Sequence, residues 1–274
     1  MLLRKLHATG NDFLVADAPG PPPATIAGLC DRRRGVGADG LMVLGPGDHE
    51  VDCTMTLFNA DGGPAEMSGN GIRCLAWVAV QEGLARDGRL MVRTAAGSRI
   101  VDLTLDPTTG DLRSATVDMG PVTFDPAGIP LDAASAFDLE AGYHGVTYHG
   151  DAAGVGNPHL VLLVDDVEAA RVTQHGPHLE HDPRFLNGTN VEFVAVGGPD
   201  ELRMRVWERG VGETLSCGTG ACAAAAVAHR RHLVGPEVTV HVRGGDLSVH
   251  LGDTARLGGP VVHVFDVDLN GPST

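Results

Sequence analysis

The sequence predicts an α+β fold made of two similar halves, each rich in β-strands and each containing one helix of small residues. Apolar and polar residues alternate with a period of two in several segments joined by glycine-containing turns, a pattern typical of paired strands. Two glycine-rich turns, "SGNG" from Ser68 and "CGTG" from Cys217, each open directly into an apolar, alanine-containing segment. Such a helix can lie inside a curved sheet, because small side chains let neighbouring backbones approach closely.

The individual elements follow from these patterns. Strands are indicated at "DCTMTLF", "RLMVRTAAGSRIVDLTL", "ELRMRVW" and "EVTVHVRGGDLSVHL". The Pro- and Gly-rich stretch "DMGPVTFDPAGIP" marks the crossing between an N-terminal half, residues 1–117, and a C-terminal half, residues 118–263. Helices are predicted at Ala24–Arg34, Asn70–Ala85, Glu168–Leu179 and Gly218–Leu233.

The two halves repeat each other in order. "GNDFLVAD" from Gly10 resembles "GNPHLVLLVD" from Gly156, and "GADGLMVL" and "GTNVEFVAV" occupy similar middle positions. "LFNADG" and "VWERGVG" both end an alternating strand, with Asn59 and Glu208 at equal distances before Ser68 and Cys217. Four matches in one order indicate an internal duplication.

Composition excludes several classes of protein. A formal net charge of −15 argues against nucleic-acid binding, which depends on Lys and Arg neutralising phosphates. The longest apolar runs, "LVLLV" and "ACAAAAVA", are far too short to span a membrane, and "MLLRKLHATGNDF" lacks the apolar region of a signal peptide. We therefore expect a cytoplasmic protein that binds neither nucleic acid nor membrane.

The cysteines and the lysine limit the chemistry. The five cysteines are scattered and fit neither a disulfide framework nor a CxxC metal site, so no metal is expected. Lys5 is the only lysine and lies in the first predicted strand, which disfavours a pyridoxal phosphate enzyme. Cys30, Cys53, Cys74 and Cys222 are interpreted as core residues.

The two glycine-rich turns are candidate binding sites. A helix start presents unpaired N–H groups and the positive end of the helix dipole, which suits a carboxylate, and it should acidify a thiol such as Cys217. Two such helix starts facing each other across a cleft could hold one carboxylate between them. The residues at positions 68 and 217 would then approach one carbon from opposite sides, which is the geometry needed to invert that carbon.

Here the sequence resembles the diaminopimelate epimerase family. "HATGNDF", "NADGGPAEMSGNGIRC", "GNPH", "GTNVEF" and "ERGVGETLSCGTGACA" match that family's signature stretches in order over essentially the whole chain. The resemblance implies two similar domains, each a curved, mostly antiparallel sheet around a central helix, with the active site in the cleft between them. It implies that residues 264–274 return to the first domain. It also implies inversion of one centre of LL-2,6-diaminopimelate to the meso form with no cofactor, and it leaves a homodimer open, since family members often pair.

The resemblance also assigns site residues by position. Cys217 matches one of the family's two catalytic cysteines, and Ser68 stands where the other is found. His159 and Glu208 match polar partners of the two acid/base groups. The matches to substrate-holding side chains are Asn11, Asn59, Asn157, Asn190 and Arg209, and the matches to the backbone cradle of the reacting α-carboxylate are Gly69, Asn70, Gly218 and Thr219.

Ser68 is the departure from the family pattern. A hydroxyl loses its proton far less readily than a thiol, and each pKa unit costs about 1.4 kcal/mol, or tenfold in rate, if the alkoxide must form. Three interpretations stay open: a natural serine that works with help from His159, a replacement introduced to trap substrate or to prevent a 68–217 disulfide, or a homologue with weakened or changed activity. The rival functions are a racemase of the same fold for another amino acid, such as histidine, and a diaminopimelate-binding protein with little turnover.

Overall fold

The computed structural model describes residues 1–65 and 67–269. Its compact units are Met1–Asp118 with the chain from Gly258, and Met119–Leu257. The strands described are β1 Leu2–Ala8, β2 Asn11–Asp17, β3 Gly40–Pro46, β4 Cys53–Asn59, β5 Pro64–Ala65, β6 Arg89–Thr94, β7 Gly97–Leu105, β8 Leu112–Gly120, β9 Leu139–Tyr143, β10 Val146–Gly154, β11 Pro158–Leu163, β12 Asn190–Gly198, β13 Glu201–Glu208, β14 Gly212–Thr214, β15 Glu237–Val242, β16 Gly245–Leu251, β17 Ala255–Pro260 and β18 Val262–Asp268. The helices described are α1 Pro23–Cys30, α2 Gly69–Gln81, α3 Val172–Leu179 and α4 Gly218–Arg230, with a short 3₁₀ turn at Pro126–Gly128.

The first unit is a mostly antiparallel sheet. β1 lies between β18 and β2 and is antiparallel to both. β2 pairs parallel with β3, β3 antiparallel with β4, and β4 parallel with β6, which continues antiparallel into β7 and β8. The last described strand, β18, therefore belongs to this sheet. Residues 270–274, the end of the segment that the resemblance returns to this domain, lie outside the described residues.

The second unit repeats the same pairing pattern. β9, β10 and β11 are antiparallel neighbours, β11 pairs parallel with β12, and β12 pairs antiparallel with β13. β13 pairs antiparallel with the short β14 and parallel with β15, which pairs antiparallel with β16. Each unit has two parallel pairs, β2–β3 and β4–β6 in the first and β11–β12 and β13–β15 in the second, and they occupy the same places in the strand order. The predicted α+β fold is confirmed, and the matching pairings agree with the internal duplication.

In each unit, one helix packs against several strands of that unit. α2 contacts β1, β2, β3, β4 and β18, and α4 contacts β10, β11, β12, β13, β15 and β16. Ala76 and Ala79 of α2 are fully buried, and the run 221–228 of α4 is buried throughout. The alanine-rich run of α4 and the alanines of α2 let strands approach these helices closely, because there is little side-chain volume to accommodate between the backbones at these positions.

All four predicted helices are present, but each is shorter than predicted. α1 stops at Cys30 because the Asp31 carboxylate accepts the N–H groups of the next turn. α2 stops at Gln81 because Gly83 adopts a left-handed conformation and Leu84 N–H bonds back to the Ala79 carbonyl, a standard helix termination. α3 begins at Val172 rather than at position 168, and α4 ends at Arg230 rather than at position 233. None of the helices in residues 1–65 and 67–269 is long and apolar enough to cross a membrane.

Enlarging a helix residue inside the sheet should destabilise the first unit. Ala79→Leu is expected to lower the free energy of unfolding by about 1–3 kcal/mol, because the site is fully buried and already filled. Gln81→Leu, the same new side chain at the exposed end of α2, is expected to change it by no more than about 0.5 kcal/mol. Urea denaturation followed by circular dichroism measures both, and equal losses would contradict the packing described.

Candidate active site

Ser68 forms the start of α2 in the first unit. Its backbone is extended, with φ −142° and ψ 120°, and its Oγ accepts the Gly71 N–H at 3.0 Å. This is an N-cap interaction, in which a side-chain oxygen satisfies one of the amides that a helix start leaves unpaired. The hydroxyl is half-buried. It is therefore fixed at the helix N-terminus, as the turn sequence predicts.

Polar residues surround this helix start. Asn70 donates through Nδ2 to Asn11 Oδ1 at 3.3 Å, and the Arg73 guanidinium donates to Asn70 Oδ1 and to the Gly69 carbonyl. Arg73 is fully buried. Three predicted site residues, Asn11, Gly69 and Asn70, are thus joined in one hydrogen-bonded group. Asn59 is exposed at the end of β4, where its backbone N–H bonds to the Gly63 carbonyl.

Cys217 occupies the equivalent place in the second unit. Its backbone is again extended, with φ −124° and ψ 113°, and its Sγ accepts the Gly220 N–H at 3.4 Å. The sulfur also lies 3.5 Å from Thr219 Oγ1. The thiol is buried, in contrast to the half-buried hydroxyl of Ser68. The same helix-capping geometry therefore carries a serine in one unit and a cysteine in the other.

Glu208 is the immediate acidic partner of Cys217. It ends β13, hydrogen-bonds to the Cys217 side chain and accepts the Thr214 hydroxyl. Burial raises the pKa of the Glu208 carboxyl, and the nearby Glu192 charge raises it further, whereas the hydrogen bonds from Thr214 and Cys217 and the nearby His159 oppose the rise.

The pKa of the Cys217 thiol is raised well above its ordinary value. Burial is the main cause, and the negative charges of Glu208 and Glu192 add to it. The hydrogen bonds with Thr219 and Gly220 act in the opposite direction but are outweighed. The prediction that the helix start acidifies this thiol is therefore wrong. It counted the favourable amides and omitted burial and the two carboxylates.

His159 lies on β11 and belongs to a buried group of polar side chains that includes Glu192 of the adjacent β12. Its Nδ1 is 2.7 Å from Glu192 Oε1, and its Nε2 is 2.9 Å from Asn157 Oδ1. Both His159 and Glu192 are fully buried. Glu192 was not among the site residues predicted from the sequence. A signal was present, since "NVEFVAV" places one acidic residue inside an otherwise apolar strand.

Asn190 and Arg209 lie beside each other. Asn190 Oδ1 accepts the Arg209 backbone N–H at 2.9 Å, and Asn190 Nδ2 donates to the Pro158 carbonyl at 2.9 Å. The Arg209 side chain is exposed and donates to the Asn187 carbonyl at 3.1 Å, so its remaining N–H groups can reach a ligand. The second unit thus brings together eight predicted site residues: Asn157, His159, Asn190, Glu208, Arg209, Cys217, Gly218 and Thr219.

Metal ligands are not grouped in the part of the chain that the structure describes. Within it, no cluster of three or more His, Cys, Asp and Glu side chains could hold a metal ion.

Solved structures share this fold. A hydroxyproline epimerase from Agrobacterium vitis matches with a TM-score of 0.71 and 18% identity, covering 99% of this chain and 93% of that one. A phenazine biosynthesis protein of the PhzF family from Bacillus anthracis matches with a TM-score of 0.71 and 15% identity, covering 97% and 98%. At these identities the matches define a fold class that includes epimerases and PhzF proteins.

Sequence comparison defines the family within that class. The family model described as diaminopimelate epimerase matches residues 3–124 and 152–264. The diaminopimelate epimerase of Moorella thermoacetica is 41% identical over 275 residues, covering 97% of this chain and 98% of that protein. The diaminopimelate epimerase of Halorhodospira halophila is 41% identical over 286 residues, covering 100% and 96%. The chain belongs to the diaminopimelate epimerase family.

Removing the Glu208 charge should lower the pKa of the Cys217 thiol. In Glu208→Gln the negative charge that disfavours the thiolate is gone, so the pH midpoint of thiol alkylation is expected to shift downward. The measurement is the rate of iodoacetamide modification across a pH series, with Cys217→Ala giving the background from the other cysteines. A midpoint that stays in place or moves upward would show that Glu208 does not control this thiol.

Proposed function

We propose that this protein epimerises LL-2,6-diaminopimelate to meso-diaminopimelate without a cofactor. The observation that carries the proposal is the repeated helix start, with Ser68 capping α2 and Cys217 capping α4 in the same backbone geometry. Family membership supports the substrate, and the grouping of Cys217 with Glu208 supports acid/base chemistry at that position. We also propose a cytoplasmic location for this small-molecule reaction.

The helix starts serve to bind the reacting carboxylate. Ser68 and Cys217 cap the third amide of each helix, that of Gly71 or Gly220. The preceding amides, those of Gly69 and Asn70 and of Gly218 and Thr219, are the ones that the family pattern gives to the substrate α-carboxylate. Backbone N–H groups at a helix start stabilise the negative charge that develops on this carboxylate as the α-proton leaves.

Two groups must exchange protons with one carbon for inversion. In one direction the Cys217 sulfur takes the α-proton, and the Ser68 hydroxyl gives its proton to the other face of the carbon. In the reverse direction the roles exchange through the same transition state. Cys217 must first be a thiolate to act as the base, and the hydrogen-bonded Glu208 is placed to accept the thiol proton. The raised pKa of Cys217 keeps the sulfur protonated in the resting protein.

Arg209 and Asn190 suit the other end of the substrate. Diaminopimelate carries a second amino-acid group, and a guanidinium can hold its carboxylate through two parallel hydrogen bonds. Asn190 fixes the backbone at Arg209 by accepting its N–H. This pairing favours diaminopimelate over an amino acid that lacks a distal carboxylate.

One observation favours a second candidate function. Ser68 preserves the helix cap but replaces the acidic thiol of the family pattern by a hydroxyl, so the protein could bind diaminopimelate with little turnover. Binding without epimerisation is therefore the alternative against which the proposal has to be tested.

Proton NMR of LL-diaminopimelate in D₂O with this protein, combined with chiral chromatography, tests the proposal. Deuterium at one α-carbon together with meso product is the expected result. Deuterium without inversion would show that Cys217 works and that Ser68 does not complete the reaction. Binding with neither change would establish the alternative function.

Ser68→Cys is expected to raise the epimerisation rate by about tenfold or more, because a thiol exchanges its proton more readily by several pKa units. Ser68→Ala, which removes both the cap and the proton, is the matched control and is expected to lose inversion. Initial rates of meso formation measure all three proteins. A Ser68→Cys variant no faster than the original chain would show that proton transfer at position 68 does not limit the reaction.

A further inference from the structure

Glu192 is a fully buried carboxylate with a partly unsatisfied hydrogen-bonding capacity. Its Oε1 is 2.7 Å from His159 Nδ1, whereas its Oε2 has no hydrogen-bond partner among the described residues. A buried carboxylate is costly unless it is paired and fully bonded, so a residue of this kind is not explained by stability. The proposed reaction above assigns Glu192 no role.

The fold itself does not require a carboxylate at this place. A Cβ added to Gly220 would lie 2.6 Å from Glu192 Oε1, so Glu192 packs against the first turn of α4 only because residue 220 is glycine. In the first unit, a Cβ added to Gly71 would lie 3.1 Å from Met42 Sδ. Met42 and Glu192 therefore occupy equivalent positions, two residues beyond Gly40 and Asn190 in β3 and β12. A buried thioether fills this position in one unit and a carboxylate fills it in the other.

The residue on the neighbouring strand that accompanies this position also differs between the two units. In the first unit, Phe13 of β2 is level with Gly40 of β3, and in the second unit, His159 of β11 is level with Asn190 of β12. Phenylalanine and methionine in the first unit are thus replaced by histidine and glutamate in the second. Because both residues differ together between the units, we interpret His159 and Glu192 as a functional pair.

We propose that Glu192 is a positioning residue, which keeps a proton on His159 Nδ1 and so fixes the direction and hydrogen bonding of Nε2 beside Asn157. A carboxylate accepts hydrogen bonds only, so Nδ1 must donate to it. Nε2 lies 2.9 Å from Asn157 Oδ1, which is also an acceptor, so both ring nitrogens donate in this arrangement and the two hydrogen bonds hold the imidazole in one orientation. Asn157, whose oxygen faces the imidazole, offers its amide N–H groups to a ligand.

The groups that face this pair come from several elements. Glu208 of β13 interacts electrostatically with both His159 and Glu192, and Cys217 at the start of α4 interacts with Glu192 and Glu208. Loss of the Nδ1 proton would change the charge pattern felt by Glu208 and would release Asn157. The catalytic consequence of Glu192 rests on the proposed epimerase function, whereas its effect on the imidazole does not.

Nitrogen-15 NMR of histidine-labelled protein tests the inference. The His159 resonances, assigned by their loss in His159→Gln, are expected to show a protonated Nδ1 at neutral pH. In Glu192→Gln the negative charge is lost and the amide can donate to Nδ1 as well as accept from it, so Nδ1 is expected to be protonated in a smaller fraction of the molecules, and Glu192→Asp is expected to restore its protonation. An unprotonated Nδ1 in the original chain, a result that needs no variant to fold, would overturn the inference. So would a protonation pattern that Glu192→Gln leaves unchanged.

Asp151→Asn is the matched control. Asp151 is also buried and paired, but with Arg231 just beyond the other end of α4, so its removal tests the general cost of losing a buried carboxylate. This variant is expected to leave the His159 resonances unchanged.

Activity provides the second readout. The rate of α-proton exchange is expected to fall at least about tenfold in Glu192→Gln, with KM changing less than kcat, to recover in part in Glu192→Asp and to stay unchanged in Asp151→Asn. An exchange rate that Glu192→Gln leaves unchanged would overturn the positioning role. If the original chain and Ser68→Cys both fail to exchange or epimerise the substrate, the proposed function fails, and the NMR result still decides whether Glu192 controls the imidazole.

Discussion

The hydrogen bond from the Gly220 amide to the Cys217 sulfur fixes the point around which the second unit's site is arranged. It requires an extended residue directly before α4, and it requires α4 to start beneath the ends of β12 and β13, which carry Glu192 and Glu208. The small residues of α4 make that placement possible, because they let the strands pack around the helix. The core packing and the acid/base chemistry therefore depend on the same helix.

The two units share a backbone plan and differ in charge. Phe13 and Met42 occupy the positions at which the second unit has His159 and Glu192, and the neutral Asn59 corresponds in the sequence repeat to Glu208. Three titratable side chains are thus concentrated in the unit that carries the thiol. One set of titratable side chains is enough for a duplicated fold if neighbouring side chains have to control the protonation of only one of the two acid/base groups.

Much of this organisation could be predicted from the sequence because it is expressed in local patterns. Period-two strands, glycine-rich turns and their repetition predicted the fold and placed Ser68 and Cys217 at helix starts. The raised pKa of Cys217 could not be predicted, since it depends on burial and on how closely β12 and β13 bring Glu192 and Glu208 to the sulfur. Glu192 was not predicted as a site residue for a related reason. An acidic residue in a strand is informative only when the neighbouring strand is known to place a histidine against it.

The charges around the two helix starts affect how readily Ser68 and Cys217 can each carry negative charge during proton transfer. Burial opposes negative charge on Cys217, and Glu208 and Glu192 oppose it further, so the sulfur favours its protonated form. At the other helix start, the fully buried Arg73 is held on the first turn through Asn70 and the Gly69 carbonyl. The helix N-terminal amides, one of which donates to Ser68 Oγ, favour transient negative charge on this oxygen. This stabilisation helps Ser68 in both directions, because proton donation and proton removal at its oxygen share one transition state. The buried Cys217 thiol, which lies near two carboxylates, is the group whose deprotonation has to be driven.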